Sequence, residues 1–200
     1  MNKLPSTLII VDIDNNIADN SPRDYLLPTQ NTPSGQKDSK LIEFHSACDK
    51  DIPNKPLIEA LQEYYLLSDV KFLFISGRKD LAEIRNKTIS WLENQGFHTP
   101  EVILRHPNSR SNTAYFKSSS IEKYLNDYTI DSNFKLIVVE DNQSVIQKFH
   151  THFENFKVIG IHVTPELDNS VKAITKIHDT FKNIFSPDSN KNSNKKSIKP

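Results

Sequence analysis

Two carboxylates, Asp12 and Asp14, stand at the end of an apolar run, Leu8-Ile9-Ile10-Val11. Side chains two apart on a strand point the same way, so as the strand ends both acids can face one site. Burying one carboxylate is costly, and burying two side by side costs more. The pair is either a solvated turn, since polar residues commonly follow buried strands, or a device for holding metal and moving protons. Three further clusters share this setting. Ser76-Gly77-Arg78 follows Lys71-Phe72-Leu73-Phe74-Ile75; a hydroxyl and a glycine leading into a helix can hold a phosphoryl oxygen through side chain and backbone N–H. Glu140-Asp141 follows Phe134 to Val139 and is a second acidic pair. Lys117 opens the helical segment between the third and fourth strands. Taken singly it reads as a solvated lysine, and its place in the series is what gives it meaning.

These groups can meet only if their strands lie side by side. Leu8 to Val11, Lys71 to Ile75, Phe134 to Val139 and Val158 to Val163 are continuous apolar runs, and Val102 to Leu104 is a shorter one. Such runs read as strands buried on both faces. Between them, Leu57, Ala60, Leu61 and Tyr64 have helical spacing. So do Leu81, Ile84, Ile89, Trp91 and Leu92; Ile121, Tyr124 and Leu125; and Val145, Ile146 and Phe149. Strands alternating with helices predict an α/β fold, a mostly parallel sheet of about five strands with helices on both faces. Ligands of such sheets bind at the carboxyl ends of the strands, where all four clusters fall. Residues 19–56 break the rhythm, with six prolines and glycines among polar residues. They read as a cap insertion over that edge of the sheet, the alternative being a mobile surface loop. Leu167, Val171, Ile174, Ile177, Phe181 and Ile184 step by three or four and predict a long helix packed on the sheet. Residues 186–200, nearly all Ser, Asn, Lys and Pro, predict a disordered polar tail. Residues 1–185 are then one domain.

Composition narrows the partners. The 200 residues carry 25 basic and 25 acidic side chains, so no global field draws the chain to nucleic acid or membrane. No apolar stretch approaches the length of a membrane helix. A lone cysteine, Cys48, excludes an intrachain disulfide and suits a reducing, cytoplasmic setting. His150 and His152 are close together, but no further ligands at zinc spacing accompany them. No obligate protein partner is implied.

The ordered set Asp12-Ile13-Asp14-Asn15-Asn16, Ser76, Lys117 and Glu140-Asp141 resembles the haloacid dehalogenase (HAD) superfamily. That family places DxDx(T/V) after its first strand, a Ser or Thr after its second, then a Lys and an acidic pair. The likeness spans residues 6–163. Within it, Ala18-Asp19, Ser76-Gly77-Arg78, the stretch from Arg105 to Arg110 and Tyr115-Phe116-Lys117 are similar to the phosphatase domain of phage polynucleotide kinase and its small relatives. So is the stretch from Phe44 to Pro56. The resemblance implies a Rossmann-like HAD fold with a small cap. It implies a phosphatase in which Asp12 is the nucleophile, Asp14 the acid/base, and Ser76 and Lys117 the phosphoryl ligands. It implies Mg2+ held by the Asp12 carboxylate, the Asp14 main-chain carbonyl and Asp141; Glu140 departs from the Asp usual there, and its extra methylene suits a contact with the ion through water. Arg23, Gly77, Arg78, Arg105, Arg110 and Asn16 are the candidates for contact with a phosphorylated small molecule or a nucleic-acid end. The chain departs from the family at Asn15-Asn16, where Gly-Thr is usual. Glycine there implies a turn with positive φ, which asparagine tolerates better than other residues. Two other readings stay open: a HAD-fold binding protein without turnover, and a phosphatase of another small phosphometabolite.

Overall fold

Every residue from Thr7 to Asp12 is buried, a pattern that a strand covered on both faces satisfies. The computed structural model describes residues 2–163 and 167–185 and places this strand at the centre of a five-stranded sheet. In chain order the strands are β1 (Asn2–Lys3), β2 (Thr7–Asp12), β3 (Ala18–Asp19), β4 (Ile52–Pro53), β5 (Val70–Lys79), β6 (Val102–Arg105), β7 (Tyr128–Thr129), β8 (Lys135–Glu140) and β9 (Lys157–His162). The α-helices are α1 (Lys37–Ser46), α2 (Lys55–Tyr65), α3 (Ala82–Asn94), α4 (Thr113–Leu125), α5 (Gln143–His152) and α6 (Leu167–Phe185). The main sheet runs β6-β5-β2-β8-β9, and each neighbouring pair is parallel.

The period-2 geometry of β2 divides the core in two. Ile9 and Val11 join Phe72, Phe74, Ile137 and Val139 under α2, α3 and α6. Leu8 and Ile10 join Leu73, Ile75, Leu136 and Val138 under α4 and α5. Helices therefore cover both faces, as the alternation of elements predicts. The C-terminal helix packs through Ile177 and Phe181, with the Phe181 ring 4.3 Å from that of Tyr64 on α2. The side chains of Leu167, Val171 and Ile184, and the tail 186–200, lie outside the described residues.

Three local differences bear on the site. β5 does not stop at Ile75 but continues through Ser76-Gly77-Arg78 to Lys79. Its register with β6 shifts between Ser76 and Lys79, and this irregularity keeps the strand paired where a helix start was expected. Helix α3 begins only at Ala82, so Ser76 and Gly77 do not sit at a helix N-terminus. Helix α4 starts at Thr113, where the Asn112 side chain accepts the Tyr115 N–H, so Lys117 lies inside the helix rather than at its opening. Residues 19–56 are organised: α1 is flanked by short 3-10 helices at Ser21–Leu26, Ser34–Gln36 and Cys48–Lys50. The two ends of this insertion are zipped together by antiparallel pairing of β3 with β4. Asn54 adds two bonds, its N–H to the Ile17 carbonyl at 2.9 Å and its Nδ2 to the Asn16 carbonyl at 3.1 Å.

Candidate active site

The parallel register brings Asp12 level with Ile75 on β5 and Val11 level with Val139 on β8. The ends of the three central strands therefore share one edge, and the acids from β2 and β8 meet there. Asp12 is 4% exposed. Its Oδ1 lies 2.5 Å from Lys117 Nζ, which also donates to Glu140 Oε2 at 2.7 Å. Burial pushes the Asp12 carboxyl up to about 7, against the pull of Lys117 and with the push of Glu140. Burial works to lower Lys117, but the two carboxylates outweigh it and hold the ammonium above its usual range. The second oxygen of Glu140 accepts the Asn142 N–H at 3.2 Å. His162 Nε2 sits 2.7 Å from the Asp141 carbonyl, which ties down the loop after β8.

After Asp12 the chain turns sharply. Asn15 has φ +57°, the conformation expected where the family has glycine. The turn closes with Ala18 N–H on the Ile13 carbonyl at 2.9 Å and Asn15 N–H on the Ala18 carbonyl at 2.8 Å. It turns Asp14 toward a cluster of two arginines. Ser76 Oγ donates to Asp14 Oδ2 at 2.6 Å. Arg78 Nε reaches both Asp14 oxygens at 3.1 Å, and Arg23 also donates to Asp14. Burial would raise the Asp14 carboxyl, but Arg78 and Arg23 outweigh it and hold it well below the usual carboxylate range.

Behind Asp14, Asp51 takes the other side of both guanidinium groups, Arg23 Nε at 2.5 Å and Arg78 Nη2 at 2.7 Å. Arg23 also donates to the Phe44 carbonyl at 3.0 Å and lies over the Phe44 ring at 4.0 Å. Two arginines and two aspartates thus form one buried, paired unit, the arrangement that makes buried charge tolerable.

A cavity of about 390 Å³ opens over this edge, a size common for small-ligand sites. Of the residues anticipated from sequence, Asp12, Asp14, Gly77, Arg78, Arg105, Lys117, Glu140 and Asp141 line it. Four others do not. Ser76 is fully buried and spends its hydroxyl on Asp14. Arg23 is 1% exposed and lies behind Asp14. Asn16 is buried, with neither amide atom hydrogen-bonded among the described residues, and its N–H goes to the Ile13 carbonyl. Arg110 has a largely exposed side chain and pairs with Asp38 of α1 at 3.2 Å. The cap supplies wall residues that sequence did not single out: Asn20, Leu41, Phe44 and His45. His45 Nδ1 accepts the Lys79 N–H at 3.1 Å. Burial pushes this imidazole down to about 4, so at neutral pH it is uncharged.

Among the described residues, Asp12, Glu140 and Asp141 form the group able to hold a metal ion, with one ligand oxygen from each within 4.8 Å of the others. Three carboxyl groups face one ammonium, Lys117, and burial raises all three, so they hold on to protons that a cation would displace. An all-oxygen, electron-rich donor set of this kind fits a hard divalent cation such as Mg2+. The Asp14 carboxylate stands outside this group, committed to Arg23, Arg78 and Ser76. No helix among the described residues is long and apolar enough to cross a membrane.

No protein-family model matches the sequence, and no curated protein does. Solved structures share its fold. A chain in the structure of the Pnkp1/Rnl/Hen1 RNA repair complex superposes with a TM-score of 0.54 at 17% identity, over 80% of this chain and 43% of that one. This chain therefore spans less than half the length of that protein. The HAD domain of the effector protein Lem4 from Legionella pneumophila gives a TM-score of 0.51 at 13% identity, over 88% of this chain and 94% of that one. The Legionella pneumophila effector Ceg4 gives 0.50 at 12% identity, over 90% and 97%. At these identities the likeness is one of fold, and the fold is of the HAD type.

Proposed function

We propose that this chain is a magnesium-dependent phosphomonoesterase that works through an aspartyl-phosphate, with a nucleic-acid 3′-phosphate or a nucleotide as substrate. The observation that carries this reading is the convergence of Asp12, Asp14, Lys117, Glu140 and Asp141 on one cavity. Asp12, Glu140 and Asp141 would hold the ion, which supplies charge neutralisation between the phosphoryl dianion and the attacking carboxylate. The protein groups divide the remaining work. The Asp12 carboxylate bonds to phosphorus as the bond to the ester oxygen breaks. Lys117, 2.5 Å from Asp12, meets the phosphoryl oxygens as charge redistributes. A proton is delivered to the leaving oxygen through Asp14, and Asp14 then takes a proton from water as that water attacks the phosphorus and frees Asp12. Because Arg23 and Arg78 keep Asp14 ionised, its resting form suits the second step. Serving as the acid of the first step requires it to take up a proton against those two cations. Substrates that leave as weakly basic phenolates escape this requirement; sugar alkoxides do not.

The nucleic-acid assignment draws on the local motif likeness and on the fold shared with a component of an RNA repair complex. A second reading, a HAD-fold binding protein without turnover, draws on the double-guanidinium clamp on Asp14 and on Asn16, whose amide replaces the usual threonine hydroxyl. A substrate panel with Mg2+ separates them: an aryl phosphate, sugar phosphates, nucleoside monophosphates and 3′-phosphorylated oligonucleotides, each with wild type and Asp12→Asn. Phosphate release that Asp12→Asn abolishes is the expected result, with the oligonucleotides preferred. Equal background from both proteins on every substrate favours the binding reading.

A further inference from the structure

Among the described residues that line the cavity, the permanent cations are Arg78, Arg105 and Lys117. Two are already neutralised, Lys117 by Asp12 and Glu140 and Arg78 by Asp14 and Asp51. Arg105 is different: neutral groups hold it in place. Its Nη1 donates to the Ser111 carbonyl at 2.5 Å and its Nη2 to Thr113 Oγ1 at 3.1 Å. The guanidinium carbon lies over the Phe116 ring at 4.6 Å. No carboxylate among the described residues is within ion-pair distance of it, and burial pushes it below its usual range with no acid to offset the effect. A guanidinium has about five N–H donors, so these two bonds leave most of them unspent.

Its position gives the chemistry. Arg105 ends β6, two strands outboard of β2, which puts its backbone about 10 Å sideways from the strand bearing Asp12. The side chain comes back across Gly77, where an added Cβ would stand 3.7 Å from Nη2. That is an ordinary van der Waals distance, so the guanidinium lies alongside Gly77 at the cavity wall, which both residues line. Lys117 already touches Asp12, so the scissile phosphoryl has its cation. Arg105 lines the same cavity from β6, two strands away from Asp12.

We propose that Arg105 forms a second anion subsite, which binds a phosphate neighbouring the one that is hydrolysed. The substrate class is then a phosphomonoester with a second phosphate close by. A strand end with its penultimate phosphodiester offers this, and so does a nucleoside 3′,5′-bisphosphate. This inference rests on the phosphatase reading and narrows it. The planar fork of arginine suits such a contact better than lysine does.

The test is steady-state kinetics of wild type, Arg105→Ala and Arg105→Lys with Mg2+ on three substrates: a nucleoside 3′-monophosphate, the matching 3′,5′-bisphosphate and a short 3′-phosphorylated oligonucleotide. Wild type is expected to prefer one or both substrates that carry the second phosphate. In Arg105→Ala that preference, taken as a ratio of kcat/KM to the monophosphate, falls about 10- to 100-fold, mostly through KM. Arg105→Lys recovers part of it. Loss of preference for the oligonucleotide alone assigns the strand end; loss for the bisphosphate assigns the small molecule. Equal loss on all three substrates, or none on any, overturns the subsite. If wild type hydrolyses nothing, the phosphatase reading falls by itself. Fluorescence anisotropy with the labelled 3′-phosphorylated oligonucleotide then reads the subsite alone: binding about 10-fold weaker in Arg105→Ala supports it, and equal binding overturns it.

Discussion

Asp14 and Asp51 share two arginines, yet their positions give them different work. Asp14 faces the cavity and Asp51 closes the unit from behind, with its side chain fully buried. Removing Asp51 leaves Arg23 and Arg78 buried with one carboxylate between them. Truncating one member of a buried charge group typically costs about 3–5 kcal/mol. Asp51→Ala is therefore expected to lower unfolding stability by that order in urea denaturation, and a loss under about 1 kcal/mol would mean that the guanidinium groups find water instead. Asp14 also sets an acid limb. Its folded carboxyl lies below its ordinary 3.8, so under acid conditions the native state binds fewer protons than the unfolded chain. Its contribution is complete above that value and is lost as pH falls below it. In Asp14→Asn, stability measured between about pH 2 and pH 5 should fall less steeply than in wild type.

At the scale of elements, the strands of the main sheet were legible because burial on both faces leaves an unbroken apolar run. Ile9 and Ile10 face opposite helices and both are buried, so neither position is free to be polar. Their acidic ends were legible for the same reason: Asp12 and Glu140 are conspicuous where such a run stops. The cap was legible as an insertion over the sheet edge, but its interior was not. Arg23, His45 and Asp51 are buried there by pairing with one another, with Phe44, or with backbone, and polar residues buried in that way look like surface in a sequence. The extension of β5 past Ser76 was not legible because a bulged strand and a turn into a helix both tolerate Ser-Gly. Gly160 on β9 was invisible as a packing site. A Cβ there would stand 2.3 Å from Ile146 Cγ2 on α5. Gly160→Ala should destabilise by about 1–3 kcal/mol through overpacking. Pairing it with Ile146→Ala, which removes the clashing methyl, should leave the double mutant more stable than the sum of the two single losses, as a thermal double-mutant cycle would read.

For the molecule as a whole, metal, pH and stability are linked through Asp12. Burial raises its carboxyl to about 7 from an ordinary 3.8. In metal-free protein the native state therefore binds more protons than the unfolded chain between those values. The Asp12 contribution to stability falls as pH rises through that window and levels off above it. A divalent ion needs the ionised carboxylate, so it must displace the proton. The rise in Tm on adding Mg2+ should accordingly be small near pH 5.5 and grow toward pH 8. At a concentration of about 100 times Kd the stabilisation is about 2.7 kcal/mol, and Asp141→Ala should abolish most of it. A Tm gain that does not depend on pH, or that survives in Asp141→Ala, would place the ion elsewhere.

Turnover by this route requires a covalent bond between phosphorus and the Asp12 carboxylate. The most direct measurement is mass spectrometry of protein quenched in acid after mixing with an aryl phosphate and Mg2+. The aryl leaving group needs no acid, while hydrolysis of the intermediate needs Asp14 as base, so Asp14→Asn should accumulate phosphate on the peptide that carries Asp12. Wild type should show less, and Asp12→Asn none. Phosphate release by Asp12→Asn at the wild-type rate, with no adduct on Asp12 in any of the three proteins, would contradict it.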